Sequence, residues 1–561
     1  MAKKTTSAAN LSATVTNRIV AEKIPGIFDE YWWWRRCNVR ILIVCDGGID
    51  YSTNGFGLSE LITKALNTSG RPNITFTITK AHRGGGSGAD INNFTFTTAT
   101  LNTTLYDECW LFAVQPSGSL PLSETQAISA FMNSGGGMFA TGDHENLGKF
   151  MCAELPRIRS MRKWYWPTAP AGRLVAPDGS SANRHDTTVV GDTANYQFDD
   201  QSDESPQTMI PKLYNSGTSS FVHPLLQKPN GVINVLPDHA HEGECVVPSN
   251  LTEAMFPGSS DPEYPFVSGS TTQRVVPDVV AISYSGGGYL TDAGKPAVNP
   301  RCFGAIGAYD GHLAQGNIGR VSVDATWHHF LNINLNGVGS SRSETGFYDS
   351  MGNPLPVYED IKRYFRNIAV WLAPKGLQRC FRMRYLYYTR YTFPLIWELR
   401  EDKDFSLPNI RRIGAEAAKI IRDQFGPSEV VNTVLAVSED LPAELKQMIH
   451  TEINPYINVK ADKEENKPVA SDELLRRETL IETLLGGIFQ QIRNETPFTA
   501  QEFESLLEKK FSDEVMDSIM LQGLVQGLNS YSASMAQLAE KSQRYSKAFA
   551  ITSAEIKRLR K

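Results

Sequence analysis

Three short polar segments carry most of the residues in this chain that could do acid–base or metal chemistry. They are Gly142-Asp143-His144-Glu145, Asp238-His239-Ala240-His241-Glu242-Gly243-Glu244 and Asp324-Ala325-Thr326-Trp327-His328-His329. With Asp310-Gly311-His312 they hold six of the ten histidines. Imidazole and carboxylate groups placed together supply both metal ligands and acid/base pairs near neutral pH. Asp143, His144, Glu145 and Glu242 are therefore the candidate catalytic groups. His239, His241, His328 and His329 are the candidate ligands of a divalent metal, zinc or a related ion. Asp46, Asp310 and His312 are candidate ligand-binding residues.

Each assignment has a plainer counterpart. Asp143 could be a helix N-cap whose carboxylate satisfies free N–H groups. His239 and His241, two residues apart, share one side of an extended segment, as two metal ligands would, yet Asp and His also fix irregular loops. His328 and His329 are adjacent, so in a strand only one of them enters a given pocket. Asp46-Gly47-Gly48 is equally a turn. The Gly84–Gly88 run lacks the frame of a phosphate-binding loop and reads as flexible.

The elements that must position these groups are legible as buried apolar runs. Arg40–Cys45, Cys109–Val114 and Met138–Thr141 read as parallel strands, and Ile74–Thr79 as a strand of alternating polarity. Helices are expected over 58–66 and from Ser123 to Met132, the latter ending at Gly135-Gly136-Gly137. Strand, helix, strand in repetition implies right-handed crossovers and a site at the carboxyl ends of the strands. Residues 156–230 read as a long insertion crossing that site. Apolar runs resume at 232–236, 279–282, 303–308 and 319–323, and a helix from Tyr358 to Leu372 closes the domain at Pro374.

From Gly376 onward periodic Leu, Ile and Phe with Glu and Lys indicate helices. The expected division is a lead-in over 1–37, an α/β domain over 38–375, a helical domain over 376–459, a charged linker over 460–470 and a C-terminal helical region over 471–561. Val515, Ile519, Met520, Leu524 and Leu528 form an apolar stripe that must be covered. Packing on 480–488 would do this, as would a second copy of the chain or a protein partner. The segment Arg379–Tyr391, with four arginines and four tyrosines, has a composition that suits base stacking, and equally an inter-domain seam.

A length of 561 residues calls for two or three domains. A net charge of -6, with 21% charged residues, gives no global field for nucleic acid or membrane surfaces, so neither is an expected partner. No apolar run approaches a membrane span. The first twenty residues show no secretory pattern, and seven scattered cysteines without a C-x-x-C pair favour a reducing compartment; the expected location is cytoplasmic.

The order of an apolar strand, the turn Leu105–Asp107, an apolar strand, a helix, Gly135–Gly137, a strand and a polar elbow resembles the trehalose-utilisation branch of the class I glutamine amidotransferase-like superfamily. His223-Pro224-Leu225-Leu226, the Asp238-His239 loop, Gly319-Arg320-Val321 and Trp327-His328-His329 also look like elements of that branch. The likeness covers roughly residues 38–374 and lies in motif order. It implies an α/β fold with a mostly parallel, doubly wound sheet and long insertions, to which the helical periodicity after Gly376 adds an all-α region. Amidotransferases of this superfamily carry a nucleophilic cysteine at the strand-to-helix elbow. The matching stretch here, Gly142–Gly148, has none, and Cys152 lies further on, so a Cys-dependent glutaminase is not expected. The leading expectation is a hydrolase-like enzyme acting on a small molecule through the Asp/His/Glu groups. The competing one is a non-catalytic ligand-sensing or scaffold protein assembled through its helical region.

Overall fold

The structure, a computed structural model, describes residues 37–71, 74–143, 146–164, 166, 207–216, 219–229, 231–237, 243–285, 300–339, 346–392, 407–454, 459–461, 471–495 and 513–559. Its frame is one nine-stranded sheet. In chain order the strands are β1 (Cys37–Cys45), β2 (Ile74–His82), β3 (Glu108–Phe112), β4 (Gly137–Thr141), β5 (Gln207–Pro211), β6 (Val235–Leu236), β7 (Asp278–Ser285), β8 (Arg301–Tyr309) and β9 (Val321–Asp324). They lie in the order β6-β5-β7-β8-β9-β4-β3-β1-β2. From β9 to β2 every pairing is parallel, and from β9 to β6 every pairing is antiparallel. The fold is thus α/β with a parallel core, extended by an antiparallel half built from the later strands.

Strand alternation divides the apolar residues between two cores. Ile41 and Ile43 of β1, Trp110 and Phe112 of β3, and Phe139 of β4 face α2 (Pro356–Leu372), where Ile361, Phe365 and Ile368 meet them. Leu42, Val44, Leu111, Met138 and Ala140 face the other way, onto Ile128, Phe131 and Met132 of α1 (Leu122–Asn133). Every one of these side chains is almost wholly buried. At roughly 25 cal/mol per Å2 of apolar surface, two such layers outweigh the weak propensity of short strands.

Pro374 separates α2 from α3 (Lys375–Thr392), and there follow α4 (Leu407–Phe425), α5 (Ser428–Ser438), α6 (Ala443–Ile453), α7 (Ser471–Glu495) and α8 (Asp513–Leu559). The apolar stripe of α8 is covered within the chain. Ile519, Met520 and Leu524 are buried in the same core as Leu480, Leu484, Leu485 and Ile488 of α7. The helices cross where glycines allow it, since a Cβ at Gly487 would stand 2.3 Å from the Gly523 carbonyl oxygen. This is the intramolecular cover that the sequence allowed for the stripe. Val515's side chain lies outside the described residues.

One other expectation changes. Residues 460 and 461, read as the start of a charged linker, belong to a strand, Val459–Ala461, paired antiparallel with Gln273–Val275. The Arg/Tyr segment is part of α3, and two of its arginines face protein: Arg382 pairs with Glu429 at 2.8 Å, Arg379 with Asp440 at 2.6 Å and Asp517 at 2.5 Å. Tyr385 stacks on Phe425 at 4.1 Å between ring centroids. This is the seam reading of that segment.

Cys37 at the start of β1 and Cys380 in α3 form a disulfide with a Cα–Cα distance of 6.0 Å. Their separation of 343 residues left no sequence signal. The pair argues against treating all seven cysteines as reduced, because disulfides persist in oxidising surroundings. Among the described residues no helix is long and apolar enough to cross a membrane.

Candidate functional site

The register of the parallel strands decides which polar segments meet. Cys45, Phe112, Thr141 and Asp324 stand side by side, at the carboxyl ends of β1, β3, β4 and β9. The loops that follow Cys45, Thr141 and Asp324 consequently open on one edge of the sheet, as the crossover rule requires. Two of the three polar segments join there directly. Trp327 N–H donates to the Gly142 carbonyl at 3.0 Å, and the Arg162 guanidinium donates to the carbonyls of Asp143 at 2.6 Å and Ala325 at 2.8 Å. His144, Glu145, His239, His241 and Glu242 lie outside the described residues. The chain leaving the last of these is placed, however: Gly243 is buried, and a Cβ there would stand 2.3 Å from the Ala325 carbonyl oxygen and from Arg162 Nη2.

Thr326 is the residue that ties the edge together. Its hydroxyl accepts from His328 N–H at 3.0 Å, capping the short 3-10 turn Trp327–Phe330, and donates to Asp143 Oδ1 at 2.7 Å. The second Asp143 oxygen then lies 3.7 Å from His328 Nε2. His328 Nδ1 is 3.0 Å from Asn334 Oδ1, so it carries the proton in this arrangement. That leaves Nε2 as a lone pair facing a carboxylate oxygen. At 3.7 Å the two are beyond direct hydrogen-bond distance, and catalytic contacts often tighten only when substrate binds. Trp327 packs beside the imidazole at 4.2 Å between ring centroids, and Asp143's side chain is fully buried. The N-cap role weighed for Asp143 falls away, since the next helix, Lys149–Cys152, has Gly148 at its N-cap with no side-chain cap bond.

His329 behaves differently from its neighbour. Nδ1 is 2.6 Å from Asp324 Oδ1, and Tyr364 of α2 donates to Asp324 Oδ2 at 2.6 Å. Burial and the Asp324 charge together push the Tyr364 hydroxyl's pKa far up. His329 is 1% exposed and Asp324 fully buried. The adjacent histidines thus serve separate acceptors, one reachable and one internal, and do not converge on a common ion. Among the described residues no group of three His, Cys, Asp or Glu is placed to hold a metal.

Asp46 sits on the same edge, where its Oδ1 accepts from the N–H groups of Val114 at 2.6 Å and Gln115 at 3.1 Å. Burial raises its pKa while those two bonds lower it, with a net upward shift. Its visible work is to bind the β3 exit to the β1 exit. Cys152 lies close by, fully buried, with its thiol directed at the Thr141 carbonyl at 3.8 Å. Burial, followed by the charge of Asp46, raises its pKa well above that of a free thiol. Cys152→Ser is expected to leave any activity within twofold, and thiol labelling of the folded protein should spare Cys152 while reacting at exposed Cys302. Rapid labelling at Cys152 would contradict the buried placement.

Asp310 and His312 are on the opposite edge. They follow β8, which runs antiparallel to β9, so Tyr309 pairs with Val321 and not with Asp324. Asp310 accepts from Arg320 Nε at 2.8 Å and Nη2 at 3.1 Å, and from His312 N–H at 3.1 Å. Burial pushes its pKa up, but the Arg320 charge and hydrogen bonds outweigh this and hold it at about 2. A depressed carboxylate pKa contributes stability that is present above the unfolded value near 4 and lost as pH falls through 2. Arg320→Met should therefore cost about 2 kcal/mol near pH 6 and much less near pH 2, as denaturant titrations at the two pH values would report. An equal cost at both would contradict the pairing.

The residues absent from the sequence-based candidates are Thr326, Asn334 and Tyr364. Thr326 was visible as the only hydroxyl within the third polar segment. Tyr364 gave no signal, because it reaches Asp324 from a helix 40 residues on.

No family model and no curated protein matches the chain. Among solved structures the chain is similar to a protein from Parabacteroides merdae ATCC 43184 described as ThuA-like, at 12% identity and a TM-score of 0.22, over 57% of this chain and 95% of that one. A likeness so slight carries no argument. The class is set by the architecture above: an α/β protein with an all-helical C-terminal region.

Proposed function

We propose that this chain is a hydrolase-like enzyme whose acid–base pair is Asp143 and His328, acting on a small-molecule substrate at the carboxyl edge of the sheet. The observation that carries it is the fixed approach of His328 Nε2 to Asp143 Oδ2 at 3.7 Å, with Asn334 and Thr326 setting the far side of each group. Convergence of this kind on a ring that stays partly exposed favours chemistry over a scaffold role. Water bound beside the pair would lose a proton to Nε2 as its oxygen attacks the substrate's electrophilic centre, and Asp143 would stabilise the imidazolium that results.

A divalent-metal form of the same reading adds His239 and His241 as donors, with Glu242 or Glu145 as base. Kinship with the trehalose-utilisation branch is likewise proposed, on motif order alone, and supplies no reaction. The test is a panel of chromogenic esters, phosphate esters and glycosides, run on the full chain with and without chelator, beside elemental analysis. Turnover that His328→Ala abolishes supports the reading. Turnover unaffected by His328→Ala, or none on any class with or without added zinc, overturns it. Loss of turnover on chelation selects the metal form.

A further inference from the structure

We propose that a second site, an anion-binding cavity for a small organic carboxylate or phosphate ester, lies where the opposite edge of the sheet meets the helical region, with Lys375 as its charge partner. A cavity of about 270 Å3 occupies this seam, close to the lower size of small-molecule sites at roughly 300 Å3. Asp310, His312, Arg320 and Trp371 line it from the sheet side, and Lys375, Arg382, Glu439 and His450 from the helices. It lies apart from the Asp143 edge and does not depend on the acid–base reading.

Its charges are balanced except at one point. Arg320 is held by Asp310 and Arg382 by Glu429, while Arg379 faces Asp440 and Asp517. His450 lies 3.4 Å from Glu439, which Lys446 also meets at 3.3 Å. Among the described residues, Lys375 is the lining cation with no carboxylate within ion-pair distance; burial disfavours its charge, and Glu439 and Asp310 favour it only from further off. A ligand anion would supply the close partner it lacks.

Further donors belong to the same lining. Lys375 and Gly376 begin α3, an 18-residue helix, so their N–H groups have no carbonyl four residues back; the first such bond runs from Gln378 N–H to Pro374. Gly376 lines the cavity, and a Cβ there would meet nothing within 4 Å, which leaves its backbone open to a ligand oxygen. His312 Nε2 is buried in the lining with no hydrogen-bond partner among the described residues. Its ring is kept neutral by burial and then by the Arg320 charge. An N–H there would donate to the same oxygen set. Val275, Val276, Leu313 and Leu435 give the rest of the cavity an apolar wall for a short organic body.

Isothermal titration of the full chain with phenyl phosphate, benzoate and neutral benzyl alcohol tests this. At least one anion should bind saturably at one per chain, with the alcohol at least 10-fold weaker. Lys375→Met should weaken that anion by about 10- to 100-fold, and Lys375→Arg much less. His328→Ala should leave it unchanged, which separates this site from the edge site. Because Lys375 is partly exposed at a helix start, both variants should fold; His312→Leu, which removes the second donor, is the independent check and should also weaken binding. No binding by either anion, or equal binding by wild type and Lys375→Met, overturns the proposal.

Discussion

Asp324→Ala is expected to destabilise the protein by about 3–5 kcal/mol, the largest effect of any single change at the edge. The carboxylate is fully buried and serves three partners, His329 Nδ1 at 2.6 Å, the Tyr364 hydroxyl at 2.6 Å and, at 3.3 Å, the Thr326 N–H. Removing it strands the two side-chain donors, each costing about 1–3 kcal/mol when unsatisfied, frees the Thr326 N–H, and leaves a small void beneath β9. Tyr364 belongs to α2 and His329 to the turn after β9, so the loss also loosens the helix from the sheet. A fall in melting temperature on the order of 10 °C should follow. Asp324→Asn, which keeps one acceptor, should lose about half as much and remains measurable if the alanine variant does not fold. A cost below 1 kcal/mol for both variants would show that the buried chain from Tyr364 to His329 is not formed.

The second large effect concerns rate. Asp143→Asn should lower kcat/KM on any substrate found by about 100- to 10,000-fold, the range for loss of a positioned acid–base group. The asparagine can still accept from Thr326, so the fold should hold, but it cannot stabilise a protonated His328. Asn334→Ala should cost less, about 10-fold, because it frees the tautomer of His328 without removing a charge. Melting temperatures of both variants, measured beside the kinetics, separate this from unfolding. A rate unchanged by Asp143→Asn would reduce the pair to a structural contact.

Much of this was legible from residue pattern because the sheet's inner strands are continuous apolar runs. Arg40–Cys45, Cys109–Phe112 and Met138–Thr141 could only be buried strands, and the glycines after α1 could only end a helix. The carboxyl-edge placement of Asp46 and Asp143 followed from those runs and the crossover rule. What failed to show were facts of direction and distance. Asp310 and His312 were grouped with the other histidines, but β8 runs antiparallel and carries them to the far edge. Cys37 and Cys380 meet only because α3 returns across the start of β1. Lys375 looked like any residue after a proline, since the cavity it lines is assembled from segments spread between 214 and 454. Periodicity reports which face is buried. It cannot report what a distant helix will bury it against, which is why the α8 stripe left α7, a second copy and a partner all open as its cover, and packing on α7 is what the fold shows.

The most direct test of the acid–base account is the pH–rate profile of kcat/KM for the substrate found in the panel, taken for wild type, His328→Ala and His328→Ala with added imidazole. The account predicts a wild-type limb that rises as an imidazole is deprotonated, its loss in the variant, and partial recovery of rate with imidazole, rising with pH through the pKa of the added base. A variant that keeps the wild-type limb would show that another group is the base, and His328 would then be no part of the chemistry.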